Sequence, residues 1–106
     1  MRSMSSIAPL AILSAVVPMS APLTGWALQS GSGPRRYAHD VVFERSFSTP
    51  PVVQLGVVGL DSSRGHNVRL RVRAENITAS GFTIAVETWW ETVLFGVDVS
   101  WLAIGS

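Results

Sequence analysis

From Tyr37 onward the apolar positions recur with a period of two, the spacing of strands that lay one face on a core and turn the other to water. Between Asn67 and Glu75, Val68, Leu70, Val72 and Ala74 take one parity, while Asn67, Arg69, Arg71, Arg73 and Glu75 take the other. Phe82, Ile84, Val86 and Thr88 predict a second such strand, and Val93, Phe95, Val97, Val99, Trp101 and Ala103 a third. Trp101 therefore falls among core positions, and Trp89 on the parity opposite Phe82. The run from Val52 to Leu60 is apolar on both parities, as in a strand covered on both faces, so one of its faces is a candidate to meet another subunit.

The breaks between these runs have turn chemistry. Pro50 and Pro51 mark the entry to the two-sided strand, because proline lacks the N–H that an interior ladder needs. Asp61 to Asn67 and Thr78 to Gly81 are rich in turn formers, and Trp89 to Thr92 makes a short aromatic connection. The Gly- and Ser-rich stretch from Gly25 to Arg36 predicts a surface loop that does not fill a core, of the kind that carries function when a scaffold holds it. Several short strands, turns and no amphipathic helix predict an all-β antiparallel sandwich. No internal repeat is visible.

At the N-terminus, Ile7 to Val17 is apolar apart from Ser14, follows Arg2 and leads into P-M-S-A. It reads either as a signal-like segment with small residues for a peptidase, or as an arm that packs as a strand against the domain or a neighbour. The run falls short of the ~20 apolar residues that cross a bilayer as a helix, so no stable transmembrane anchor is expected. The chain divides accordingly into residues 1–24, the arm or signal-like segment, and residues 25–106, the sandwich domain.

Composition narrows the chemistry. The chain has 106 residues, 47% of them apolar, which is enough for one domain with one core. Its basic residues are all arginine, and the net charge of +1 lies far below the excess with which nucleic-acid binders neutralise phosphates. Without cysteine, and with only His39 and His66, thiolate and zinc-cluster chemistry lack material. Neither histidine lies in a nucleophile elbow or a metal-ligand spacing, so no enzyme activity, cofactor or metal is expected. Asn76-Ile77-Thr78 fits a glycosylation acceptor, and its position predicts a strand end before a turn.

F-S-T-P-P-V-V at Phe47 to Val53, N-V-R at Asn67 to Arg69, A-E-N-I-T-A-S-G-F at Ala74 to Phe82, T-W at Thr88 and Trp89, and S-W-L-A-I-G at Ser100 to Gly105 resemble the H-type lectin domain family of snail agglutinins and discoidins. The resemblance runs in order from about Val41 to Gly105. It implies a six-stranded antiparallel sandwich assembled as a homotrimer, with sites for galactose- or N-acetylgalactosamine-type glycans between adjacent subunits. It also implies that Arg69 and Trp89 contact the sugar. Trp90 stands where a snail lectin has histidine, and Phe95 where it has tyrosine. The aspartate that the snail lectin draws from an earlier loop has no counterpart between Gly25 and Arg36.

The residue chemistry suits a sugar in outline. Aromatic rings accept the C–H face of a pyranose, arginine supplies a rigid fork of donors, and Glu91 is the best acceptor among the side chains. The candidate site is therefore Arg69, Trp89, Trp90, Glu91 and Phe95. Each has a plainer role: Trp89 and Trp90 as a subunit contact, and the arginine row as a solvated face whose Arg71 and Arg73 pair with Glu75 and Glu87. Two functions follow. One is an extracellular or secreted carbohydrate-binding module for adhesion. The other is a structural or adhesive component of a larger assembly, such as the surface of a viral particle, tail, fibre or appendage, attached to other structural proteins through residues 1–24. A domain of this size without disulfides has a thin core, so association is also an expected source of stability.

Overall fold

The computed structural model describes residues 10–106, which form six strands: β1 (Ala11–Ser20), β2 (Arg35–Val42), β3 (Val52–Ser62), β4 (Arg71–Glu75), β5 (Gly81–Thr88) and β6 (Leu94–Gly105). They make two three-stranded antiparallel sheets, β1-β6-β3 and β2-β5-β4, stacked as a sandwich. β5 follows the expected alternation: Phe82, Ile84, Val86 and Thr88 are all buried. They meet Val97, Val99, Trp101 and Ala103 from β6. The Phe43, Phe82 and Trp101 rings pack at centroid separations of 5.6 to 5.8 Å, within the range where tilted and edge-on aromatic pairs attract.

The third predicted alternation fails at its start. Leu94 is fully buried while Phe95 is 40% exposed. β6 advances from Gly96 to Leu94 while its partner β3 advances only from Asp61 to Ser62, and the extra residue reverses which face the side chains take. The predicted strand from Asn67 is also shorter than its pattern, because only Arg71–Glu75 is extended and Val68 is exposed. Threonine hydroxyls hold the irregular backbone before it. Thr88 Oγ1 donates to the Arg69 carbonyl at 2.5 Å. Thr92 Oγ1 donates to the Asn67 carbonyl at 2.7 Å and accepts from the Arg69 N–H at 3.1 Å.

The apolar pattern predicts β3 covered on both faces, yet it is an edge strand. Val52, Val57, Val58 and Leu60 are all exposed. Val57 and Leu60 pair with the buried Val99 and Val97, but the second sheet does not close over them. The Gly25–Arg36 loop, expected to stay out of the core, sends in Trp26 and Leu28 and ends where β2 begins at Arg35. Trp26 Nε1 donates to the Leu94 carbonyl at 3.0 Å, and the Leu94 N–H to the Leu28 carbonyl at 2.9 Å.

The arm or signal-like reading falls partly on residues 1–9, which lie outside the described residues. Residues 11–20 are β1, paired along their length with β6 from Ala11 against Gly105 to Ser20 against Gly96, with Met19 in the core. Among the described residues no helix is long and apolar enough to cross a membrane. Between β4 and β5, Asn76 takes a left-handed conformation (φ 53°) that asparagine tolerates. Gly81 closes the turn so tightly that a Cβ there would run into the Val41 carbonyl oxygen.

Candidate functional site

The Trp89–Thr92 connection leaves β5 in a tight turn with Trp90 in the left-handed region (φ 57°), a costly conformation for an aromatic residue. Its carbonyl is latched from the glycine-rich loop, accepting from the Gly33 N–H at 3.1 Å and from Arg35 Nη2 at 2.6 Å. The remaining Arg35 nitrogens donate to the Gly33, Leu28 and Ser30 carbonyls. The predicted functional loop thus acts by holding the backbone of the aromatic turn. Trp90 is pushed outward, 64% exposed.

Arg69 arrives from the opposite side, on the segment that the two threonines clamp. Its guanidinium lies 4.6 Å from the centre of the Trp90 ring, and Nη1 reaches Glu91 Oε1 at 2.7 Å and Thr92 Oγ1 at 3.4 Å. The separation from the ring is within cation–π range. The Glu91 carboxyl is held below the usual carboxylate range, chiefly by its own backbone N–H and then by the Arg69 charge, which together outweigh the opposing effect of burial. Arginine, tryptophan and carboxylate therefore form one cluster, with Trp90 and Glu91 exposed and the Arg69 side chain 19% exposed beneath them: an aromatic ring, a fork of donors and an ionised acceptor.

The other two candidates lie elsewhere in the chain. Trp89 turns to the outer face of β2-β5-β4, where the Arg71 guanidinium lies 5.1 Å from its ring centre. There it lines a hollow of about 520 Å³ with Pro34, Arg35, Arg36, Arg71, Arg73, Glu87 and Thr88. Phe95, displaced by the reversal in β6, lines a separate hollow with Leu60, Asp61 and Asp98. The arginine row pairs as expected with Glu87, at 3.7 Å from Arg71 and 3.2 Å from Arg73. Glu75 is instead gripped by both terminal nitrogens of Arg36, at 2.6 and 3.1 Å, which lowers its pKa.

The site depends on residues that the alternation alone passes over: the hydroxyls of Thr88 and Thr92, and Arg35. Their signal is that T-W-W-E-T brackets the aromatic pair with hydroxyls, and that G-S-G-P-R-R combines turn glycines with a cation. The histidine neighbourhoods are occupied locally, with His66 Nδ1 bonded to Ser63 Oγ at 2.9 Å and Asp40 accepting from Thr83 at 2.8 Å. Among the described residues no cluster of three metal-ligating side chains occurs.

Comparison with known proteins gives consistent matches. The pattern of the H-type lectin domain matches residues 38–104. A protein of Fuscovulum blasticum described as ATP synthase subunits region ORF 7 is 42% identical over 82 residues, covering 77% of this chain and 71% of that one. A discoidin-1 polypeptide of Dictyostelium discoideum is 33% identical over 78 residues, covering 73% of this chain. The chain spans about a third of that relative's length, 31%. The solved structure of recombinant discoidin II from the same organism superposes with a TM-score of 0.82 at 23% identity, over 97% of this chain and 40% of that one. That likeness shows a shared sandwich fold.

Proposed function

Because the chain belongs to the H-type lectin domain family, we propose that it binds glycans through the cluster of Arg69, Trp90 and Glu91, beside seams between the copies of a trimer. It is a lectin domain and not an enzyme. The observation that carries the reading is the placement of the Arg69 guanidinium between the Trp90 ring at 4.6 Å and the Glu91 carboxylate at 2.7 Å. A pyranose lays its C–H face on the ring and offers hydroxyls to the guanidinium as acceptors and to the carboxylate as donors. Galactose- and N-acetylgalactosamine-type sugars fit this pattern, because their axial 4-hydroxyl points away from the C–H face and leaves that face apolar. An extracellular or secreted location goes with such a ligand.

Assembly completes the proposal. Exposed side chains of β3 supply apolar surface for a seam, Val52 on the outer face with Ile12 and Val16 of β1, and Val57 and Leu60 on the opposite face where the second sheet does not reach. Phe95, which lines a separate hollow within one chain, joins a sugar site from a second copy. A shallow site binds weakly alone, and three on one particle gain through effective concentration without new contacts. Calorimetric titration of the intact protein with methyl N-acetylgalactosaminide tests the site. Arg69→Ala should remove the heat of binding while light scattering shows the same mass; unaltered binding by the variant contradicts the assignment.

A further inference from the structure

The outer face of β2-β5-β4 carries a second concentration of chemistry that the proposed sugar cluster does not use. Its hollow of about 520 Å³ is the size of a small-ligand site and is lined by four arginines (Arg35, Arg36, Arg71, Arg73) against one acid, Glu87. Cross-strand register puts Arg36, Glu87 and Arg71 in one row, with Arg73 two residues along β4. Three guanidinium groups converge on the single Glu87 carboxylate, Arg73 at 3.2 Å, Arg36 at 3.6 Å and Arg71 at 3.7 Å. Charge-assisted N–H···O bonds are ordinarily about 2.7–2.9 Å long, and Arg36 is matched by Glu75, so the longer contacts of Arg71 and Arg73 to the shared Glu87 leave these two with donors to spare.

We propose that this hollow is a second binding site, for saccharide units that carry a carboxylate. Glu87 shows which group the arginine set accepts: a planar carboxylate, approached by several forks from different sides. Trp89 and Pro34 supply the apolar wall on which a pyranose ring lies, and Arg71, stacked on Trp89, sets its donors at the edge of that wall. The side chains of Arg71 and Arg73 are each about half exposed, at 53% and 49%, so their free donors are open to a ligand from solution, while both terminal nitrogens of Arg36 are held by Glu75. The other acids on this face are engaged: Glu75 by Arg36, and Asp40 by the Thr83 hydroxyl. Arg35 stays tied to backbone carbonyls and adds charge to the field of the hollow. The site is separate from the Arg69 cluster and does not require the galactose-type reading to hold.

The test is titration of the full chain with methyl glucuronide, its neutral glucuronamide and methyl N-acetylgalactosaminide, followed by tryptophan fluorescence and amide NMR shifts. The glucuronide should bind on the order of tenfold more tightly than the amide, as expected when a hydrogen-bonded charge is added. Its largest shifts should fall at Trp89 and Arg73, and the preference should weaken with salt. Arg73→Gln should erase the preference and leave galactosaminide binding unchanged; Arg69→Ala should do the reverse. Equal affinity for acid and amide, or a preference that survives Arg73→Gln, overturns the proposal. A glucoside 6-sulfate that binds as tightly as the glucuronide overturns its carboxylate assignment. Loss of galactosaminide binding alone counts against the Arg69 reading and leaves this one standing.

Discussion

The two sheets of the sandwich present opposite outer faces. On β1-β6-β3, Ile12, Ile104 and Val52 form one cross-strand row, Leu102 and Val16 lie further along the same face, and the strands' only charged residues, Asp61 and Asp98, sit near the bulged end. On β2-β5-β4 the corresponding face is a lattice of Arg36, Arg71, Arg73, Asp40, Glu75 and Glu87. Ile12, Val16 and Val52 are 63%, 58% and 67% exposed. An exposed apolar row of that kind, broken by Ser14, Gln54 and Ser100, suits a partner surface, whereas a lattice of ions is content in water and selects among charged ligands. Under the trimer proposed above, self-association would belong to the first sheet and recognition to the second and to the Arg69 cluster.

The largest expected effect comes from placing a charge on each sheet. Val16→Glu and Val57→Asp should reduce the assembly to single chains in light scattering, because an acid would be desolvated in the seam without a partner. Ala38→Glu, on the outer face of β2 in register with Arg73, should leave the mass unchanged. A trimer that survives Val16→Glu and dissolves with Ala38→Glu would exchange the two roles.

Next in size, Trp90→Ala removes the ring from the exposed cluster. It should weaken galactoside binding on the order of tenfold, the scale of one lost stacking contact with its cation, without a change in oligomer mass. Calorimetry and light scattering on the intact protein read the two arms.

The two buried tryptophans make a smaller contrast. Trp26 Nε1 donates to the Leu94 carbonyl, while among the described residues Trp101 Nε1 has no partner. Trp26→Phe loses a buried hydrogen bond and strands a carbonyl. It should cost about 1–2 kcal/mol more than Trp101→Phe, which relieves an orphaned donor as it loses packing. Denaturant melts of the two variants compare them, and equal losses would count against the hydrogen bond as the difference.

Smallest is the pH response. The Glu91 carboxyl is lowered in the folded chain, so its contribution is fully present above its ordinary pKa and is lost only as pH falls through the lowered folded value. Galactoside binding should therefore be flat from neutrality down to the usual carboxylate range and decline below it. A decline already at about pH 6–7 would point to a histidine instead.

Much of the fold is legible because alternation is strong where one face is buried: Phe82 to Thr88 and Val97 to Ala103 can be read directly. Alternation cannot see an inserted residue, which is why Phe95 reads as inward and lies outward. Two-sided apolarity has the same appearance in an interior strand and in an exposed edge strand, so β3 reads as covered on both faces although within one chain Val52, Val57, Val58 and Leu60 are exposed. β1 looks like an arm or signal because its apolar run has no polar face, and Pro18 is admissible in it because the strand lies at a sheet edge. At the site, the residue types are legible and their grouping is not. Arg69 and Glu91 lie 22 positions apart, and what joins them is the pair of hydroxyls on Thr88 and Thr92, a contact no periodicity records.

A glycan array probed with the intact protein, beside its Arg69→Ala variant, is the decisive measurement. The parent should give signals concentrated on terminal galactose and N-acetylgalactosamine, and the variant should lose them. A blank array for a correctly folded parent, or identical galactose signals from both proteins, would rule out binding through Arg69.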